Sequence, residues 1–216
     1  MEYSISEKFK SLQGEGQFAG TPMAFIRFVG CSVGKKICRG CDTDFEQIHG
    51  WRGGGDFEAQ ELADWSSPYN HVCLTGGEPL DQNLTDILDA LRHRVIDPMP
   101  IYSPPMVHIE TSGTISFPYL RERIWVCVSP KPGFQEVEVM AADEIKVIVP
   151  GLGHGIGWPG IQDALRWAAA GKLVYLQPRN GRFDIDSMNL KYVLDLLLQY
   201  PRLRLSAQLH KILKVQ

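Results

Sequence analysis

The 216-residue chain is 44% apolar and 22% charged, enough for one hydrophobic core and too little for two independent ones, and this composition excludes disordered and collagen-like chains. Its net charge of −3, with basic residues scattered, offers no basic stripe for nucleic acid. No run of about 18 apolar residues could span a membrane, and residues 1–9 lack the apolar centre of a signal peptide. The expectation is one soluble, cytoplasmic domain over 1–216, with its thiols reduced.

Strand-like and helix-like segments alternate along the chain. An apolar run at 24–29, interrupted by Arg27, ends at Gly30 and reads as a strand. Residues 57–65 are weakly helical, and 71–75 form a strand that stops at Gly76-Gly77. Asn83 can cap a helix in which Leu84, Ile87, Leu88 and Leu91 recur at helical spacing. Further strands are expected at 107–110, 124–129, 145–149, 173–177 and 203–207, with helices at 161–170 and 187–199. The last helix places Leu190, Val193, Leu194 and Leu197 on one apolar face. The Pro-rich stretch 97–105 reads as a surface loop. The glycines between 150 and 160 read as a flexible loop, because neither their spacing nor a following acid fits a dinucleotide site.

Such alternation predicts a mostly parallel sheet with crossover helices. Eight strand–helix units usually need about 250 residues. The expected fold is therefore α/β, a partial (β/α) barrel or open sheet with fewer units than a full TIM barrel. Its chemistry should gather at the carboxyl ends of the strands.

Three of the five cysteines, Cys31, Cys38 and Cys41, fall within eleven residues after the first strong strand. A closed structural site wants four protein ligands, whereas three leave one metal position open. Lys35, Lys36 and Arg39 lie among them and would favour thiolates. Zinc completed by His49 and unligated thiols are the competing readings. Cys73 and Cys127 lie in apolar strands and read as small core residues. After the strand at 71–75 comes Gly76-Gly77-Glu78-Pro79, where two glycines allow close backbone approach to a ligand and Glu78 offers an acceptor for an ammonium group. A tight turn is the competing reading.

Together these features resemble the radical S-adenosylmethionine superfamily. Within it, Leu12-Gln13-Gly14-Glu15-Gly16, Arg27, Cys41-Asp42-Thr43, Thr75 to Pro79, Ser129-Pro130-Lys131, Glu144-Ile145-Lys146, Gln177-Pro178 and Gln208 to Lys211 look like the 7-carboxy-7-deazaguanine synthases. The superfamily commonly places three residues between its first two cysteines. Here there are six, Ser32 to Ile37.

The resemblance implies a lyase that contracts the ring of 6-carboxy-5,6,7,8-tetrahydropterin to 7-carboxy-7-deazaguanine and ammonia, on the route to queuosine and other 7-deazapurines. It implies that Cys31, Cys38 and Cys41 hold a 4Fe–4S cluster whose open iron binds S-adenosylmethionine, the source of a radical that removes a hydrogen from the pterin. It further implies S-adenosylmethionine contacts from Gly76, Gly77, Glu78, Ser129, Lys131 and Gln177. Substrate contacts would come from Leu12, Gln13, Glu15, Arg27, Thr75 and His210, and a magnesium ion would use Thr43. Arg27 would meet the substrate carboxylate, its competing reading being an ion pair to a core acid. A homodimer and an electron donor such as flavodoxin are implied as partners, with no nucleic acid or membrane. The rival functions are a glycyl-radical activase and, from another class, a zinc- or iron–sulfur-binding interaction or electron-transfer module.

Overall fold

A computed structural model describes residues 1–38, 41, 43–93, 104–117, 124–149, 157–181 and 184–215. In chain order its elements are β1 (Glu2–Leu12), β2 (Pro22–Phe28), α1 (Gly34–Ile37), β3 (Gly55–Glu58), α2 (Ala59–Trp65), β4 (His71–Gly76), α3 (Thr85–Arg92) and β5 (Met106–Thr111). There follow β6 (Ile124–Val128), α4 (Glu136–Ala141), β7 (Glu144–Val149), α5 (Ile161–Ala169), β8 (Leu173–Pro178), α6 (Ser187–Gln199), β9 (Arg204–Leu205) and α7 (Leu209–Leu213).

The strands form one open sheet in the order β3-β1-β2-β4-β5-β6-β7-β8-β9. β1 runs antiparallel to β2 and β3, and every other neighbouring pair is parallel. This is the expected partial barrel, left unclosed between β3 and β9. No helix of the described residues is long and apolar enough to cross a membrane.

The two faces of the sheet differ in chemistry because side chains alternate along each strand. On the outer face Ile26, Val72, Leu74, Ile109, Val126, Val128, Ile145, Val147 and Leu176 join one buried core with Leu62, Leu84, Ile87, Leu91 and Trp167 from the covering helices. The inner face is mixed. Its lower row pairs Phe25 with Cys73, Cys73 with His108 and His108 with Trp125 across neighbouring strands. Above it stand Arg27, Thr75, Glu110, Glu144, Lys146 and Gln177, and burying so many polar groups requires partners for them.

The chain between β1 and β2 plugs the bottom of this inner face. A 3-10 turn at Gly16–Phe18 puts the Phe18 ring edge-on to His108 and Trp125, at centroid distances of 4.6 and 5.0 Å. Gln17 N–H donates to Glu144 Oε2 at 2.8 Å, and Tyr175 Oη donates to Gln17 Oε1 at 3.0 Å. Gly16 has φ +64, and a Cβ there would fall 1.8 Å from Glu144 Oε1, so only glycine fits.

Some expectations are corrected. Residues 57 and 58 belong to β3, and the helix begins at Ala59, where Glu61 Oε2 accepts from Glu58 N–H at 2.8 Å. β1 was not anticipated: its register shifts between Ile5 and Glu7, and the bulge breaks the alternation that would reveal a strand. Nor was α4, whose Glu-Val-Glu-Val sequence alternates like a strand. The strand expected at 203–207 shrinks to Arg204–Leu205, and α7 follows it. On α6, Leu194 is 41% exposed, and the inward side is formed instead by Asn189, Val193, Leu196 and Leu197. The cap position of α3 is Leu84 and not Asn83, which stands one residue further out with its Oδ1 accepting from Thr85 N–H at 3.1 Å. Arg39, Asp42, most of the Pro-rich stretch and Gly151, Gly153 and Gly155 lie outside the described residues.

Candidate active site

The inner face and the loops above it enclose a cavity of about 1080 Å³. Every expected site residue except Glu78 lines it. It is bounded by the cysteine loop after β2, the exits of β4 to β8, and α7.

Cys31, Cys38 and Cys41 stand half-buried on one rim. The six residues between the first two form no loose bulge. They contain α1, one turn of helix anchored by buried Val33, with Lys35 paired to Glu46 at 3.0 Å. The loop is fastened at its base, where Gly30 N–H donates to Phe45 O at 2.9 Å and Ser32 N–H to Asp81 Oδ2 at 2.7 Å. A hydrogen bond with Cys41, and then burial, pushes the Cys38 thiol up, and burial raises Cys31. Lys131 faces them from the exit of β6. Burial lowers its ammonium pKa, and its Nζ donates to Ser129 O and Oγ at 2.8 and 2.7 Å.

Among the described residues no three His, Cys, Asp or Glu side chains are arranged to hold one metal ion. His49 does not line the cavity, and its Nε2 lies 3.1 Å from Asp44 Oδ2. His49 is thus not gathered with the three cysteines. Three thiols on one cavity rim do fit an iron–sulfur cluster, in which each sulfur takes its own iron rather than converging on a single ion.

The Gly76 to Pro79 segment abuts the cysteine loop directly. Glu78 N–H donates to Gly30 O at 3.1 Å, and a Cβ on Gly77 would lie 1.8 Å from that carbonyl. The backbone of Gly76 and Gly77 reaches the cavity. The Glu78 side chain does not line it. Its carboxylate is 1% exposed and accepts from Leu80 N–H, Thr111 Oγ1, and both N–H and Oγ of Ser112, at 2.5 to 3.2 Å. With four donors around it, the carboxylate braces β5 beneath the cavity.

On the opposite wall Glu15 is the centre of a network. Its Oε1 accepts from Gln177 Nε2 at 3.0 Å and Gln208 Nε2 at 2.8 Å, and Lys146 Nζ donates to Oε2. Burial alone would raise the Glu15 pKa, but the Lys146 charge and hydrogen bond, with His210 and Gln208, bring it down to about 2. Gln13 and Thr75 both donate to Glu110, at 3.1 and 2.9 Å. Gln208 adopts φ +52, a left-handed conformation costing a non-glycine residue about 1–3 kcal/mol, which places its amide between Asn180 and Glu15. Arg27 makes the ion pair weighed from sequence, with Nε 2.8 Å from Glu7 Oε1, and still lines the cavity.

Glu110, Lys146 and Gln208 are the members of this wall to which the sequence assigned no role. A signal existed for Glu110 and Lys146, each a charge inside an apolar strand like Arg27. Gln177, expected against S-adenosylmethionine, lines the cavity and also stands in the Glu15 network.

With this geometry in view, known proteins can be compared. The chain is 35% identical to the 7-carboxy-7-deazaguanine synthase of Bradyrhizobium diazoefficiens, with all of both chains covered. It is also 35% identical to that of Burkholderia multivorans, again over all of both chains. The chain belongs to the 7-carboxy-7-deazaguanine synthase family. Among solved structures, QueE from Escherichia coli superposes with a TM-score of 0.69 at 26% identity, covering 97% of this chain and 95% of that one. No protein-family model matches the chain. The likeness to QueE accords with the open, mostly parallel sheet.

Proposed function

We propose that this synthase-family chain converts 6-carboxy-5,6,7,8-tetrahydropterin to 7-carboxy-7-deazaguanine and ammonia in 7-deazapurine biosynthesis. One observation carries the reading: a single cavity joins the three cysteines to Glu15, Gln13 and Arg27. Cys31, Cys38 and Cys41 would hold a 4Fe–4S cluster, and the Gly76–Gly77 backbone, Ser129 and Lys131 would hold S-adenosylmethionine beside it. When bound, this pair supplies a carbon-centred radical able to remove an unactivated hydrogen, which no side-chain base can do.

The chain's own residues then orient and enclose. Glu15 is ionised and fixed by three donors, a ready acceptor for the N–H edge of a pterin. Gln13, set by Glu110, would read the adjoining amide edge. Arg27 would take the carboxylate through its terminal nitrogens, its Nε being used by Glu7. Thr43, on the cysteine side, would contribute to a magnesium ion completed by substrate oxygens and water. Gln177 supports Glu15 in this scheme. A second copy of the chain and a small flavoprotein donor, in the cytoplasm, complete the proposal.

The test is anaerobic turnover of reconstituted protein with carboxypterin, S-adenosylmethionine, reductant and magnesium. Formation of 7-carboxy-7-deazaguanine is expected, and a reconstituted protein that forms none would sink the reading. Thr43→Ala should weaken the magnesium dependence, and an unchanged dependence would remove Thr43 from the ion.

A further inference from the structure

Three segments distant in sequence meet at Glu7. Arg27 Nε on β2 lies 2.8 Å from Glu7 Oε1, and Arg52 Nη1, beyond the cysteine loop, lies 3.3 Å from Glu7 Oε2. All three residues line the cavity. Glu7 is only 9% exposed at its side chain, Arg27 17% and Arg52 30%. The Arg52 guanidinium sits 4.3 Å from the centroid of exposed Trp51, and its backbone N–H donates to His49 O at 2.8 Å. Asp44 also lines the cavity, but its carboxylate faces His49.

Two guanidiniums approach one carboxylate here, each through a single nitrogen. A carboxylate entering the cavity could use the other nitrogens of both, and a partly desolvated wall strengthens such charge-assisted bonds. One guanidinium would have satisfied Glu7. The second also lies against exposed Trp51, and the cavity is the place where its remaining nitrogens are presented.

We propose that Arg52 is a second carboxylate-binding residue, and that Glu7 is the positioning residue holding Arg27 and Arg52 together as a two-guanidinium clamp for the carboxylate of the pterin. This rests on the substrate class of the proposed function and deepens it. Arg27 lies on a strand and supplies a fixed point. Arg52 lies on the chain leaving the cysteine loop, so the clamp ties carboxylate recognition to the segment that carries the metal ligands. Glu7, engaged through both oxygens, holds one nitrogen of each guanidinium and so restrains where the two sit.

The experiment measures equilibrium binding to anaerobically reconstituted protein of two probes, the carboxypterin and tetrahydropterin lacking the carboxylate. Wild type should prefer the carboxylated probe. Arg52→Met should cut that preference about tenfold, the scale of one lost charge-assisted hydrogen bond, while the affinity for tetrahydropterin stays within twofold. Arg52→Lys should restore part of the preference, since charge returns without the planar fork. The proposal is overturned if the preference survives Arg52→Met, if both probes weaken equally, or if wild type has no preference. Should Arg52→Met fail to fold by circular dichroism, Arg52→Gln is read by the same ratio. Turnover is scored separately, so a protein that binds selectively but forms no deazaguanine would refute the reaction and leave the clamp standing.

Discussion

Replacing Lys146 by Met would strand the Glu15 carboxylate on a wall where it now accepts from three donors. Removing one partner of a buried ion pair costs about 3–5 kcal/mol, because the remaining charge is left uncompensated. The pH dependence gives a second handle. Glu15 has its folded pKa depressed from 4.5 to about 2, so its stabilisation is complete above about pH 4.5 and lost as pH falls toward 2. Urea unfolding across that window should show this loss in wild type and not in Lys146→Met. A variant with the same acid slope would remove Lys146 as the partner that matters. The residues with the loudest sequence signals, the cysteines, the paired glycines and Arg27, do meet in one cavity. Glu110 and Gln208 could not be paired from sequence, since Gln13 and Glu110 lie 97 residues apart and Gln208 lies 193 from Glu15. Only the strand order brings them together.

Between elements, the contacts that align the strand exits are few and specific. Asn189 on α6 is buried and donates to Val149 O at 2.7 Å and Arg179 O at 2.9 Å, tying the helix to the ends of β7 and β8. Asn189→Leu should cost about 2–3 kcal/mol, because two buried carbonyls lose a donor, and denaturant unfolding would measure it. A second link joins the exits of β2 and β4 through Gly30 and Gly77. Gly77→Ala would force these apart, destabilise the fold by about 1–3 kcal/mol and abolish S-adenosylmethionine binding in calorimetry. Retained binding would show that this close approach is dispensable. Elements were legible where one face is apolar and unbroken, as in β4, β7 and α6. They were hidden where local chemistry masks the period, as at the bulge in β1 and the strand-like alternation of α4.

At the scale of the molecule, the open sheet must satisfy an inner layer that a closed barrel would fill with apolar side chains. Its lower row includes an imidazole pair, His71 Nδ1 and His108 Nε2, 2.9 Å apart beneath the Phe18 plug. Burial, reinforced by His71, holds His108 down to about 3, and burial lowers His71 as well. Both are neutral when folded and bind protons more readily when unfolded. They therefore favour the native state above about pH 6.5, and that advantage is lost as pH falls toward 3. His108→Phe should flatten the stability profile between those limits, and a persistent slope would place the acid lability elsewhere. The fold class and the parallel strands from β2 onward, β3 aside, were readable because outer-face apolar runs alternate with helices. The plug was not, since a Gly-flanked polar turn reveals nothing of what it will sit beneath.

The stem of the cysteine loop has a consequence for how such chains can diverge. Residues 30 and 45 are hydrogen-bonded to each other, and residue 30 is also joined to residue 78, so the loop hangs from a closed base. The cost of lengthening a closed loop grows only logarithmically, about 0.6 kcal/mol per doubling. Spacing between the first two thiols is thus nearly neutral ground for insertion, while the bases on which the loop stands tolerate no added atom. A diagnostic built on cysteine spacing alone would overlook chains like this one. A search keyed to the glycine that meets the neighbouring strand exit would retain them.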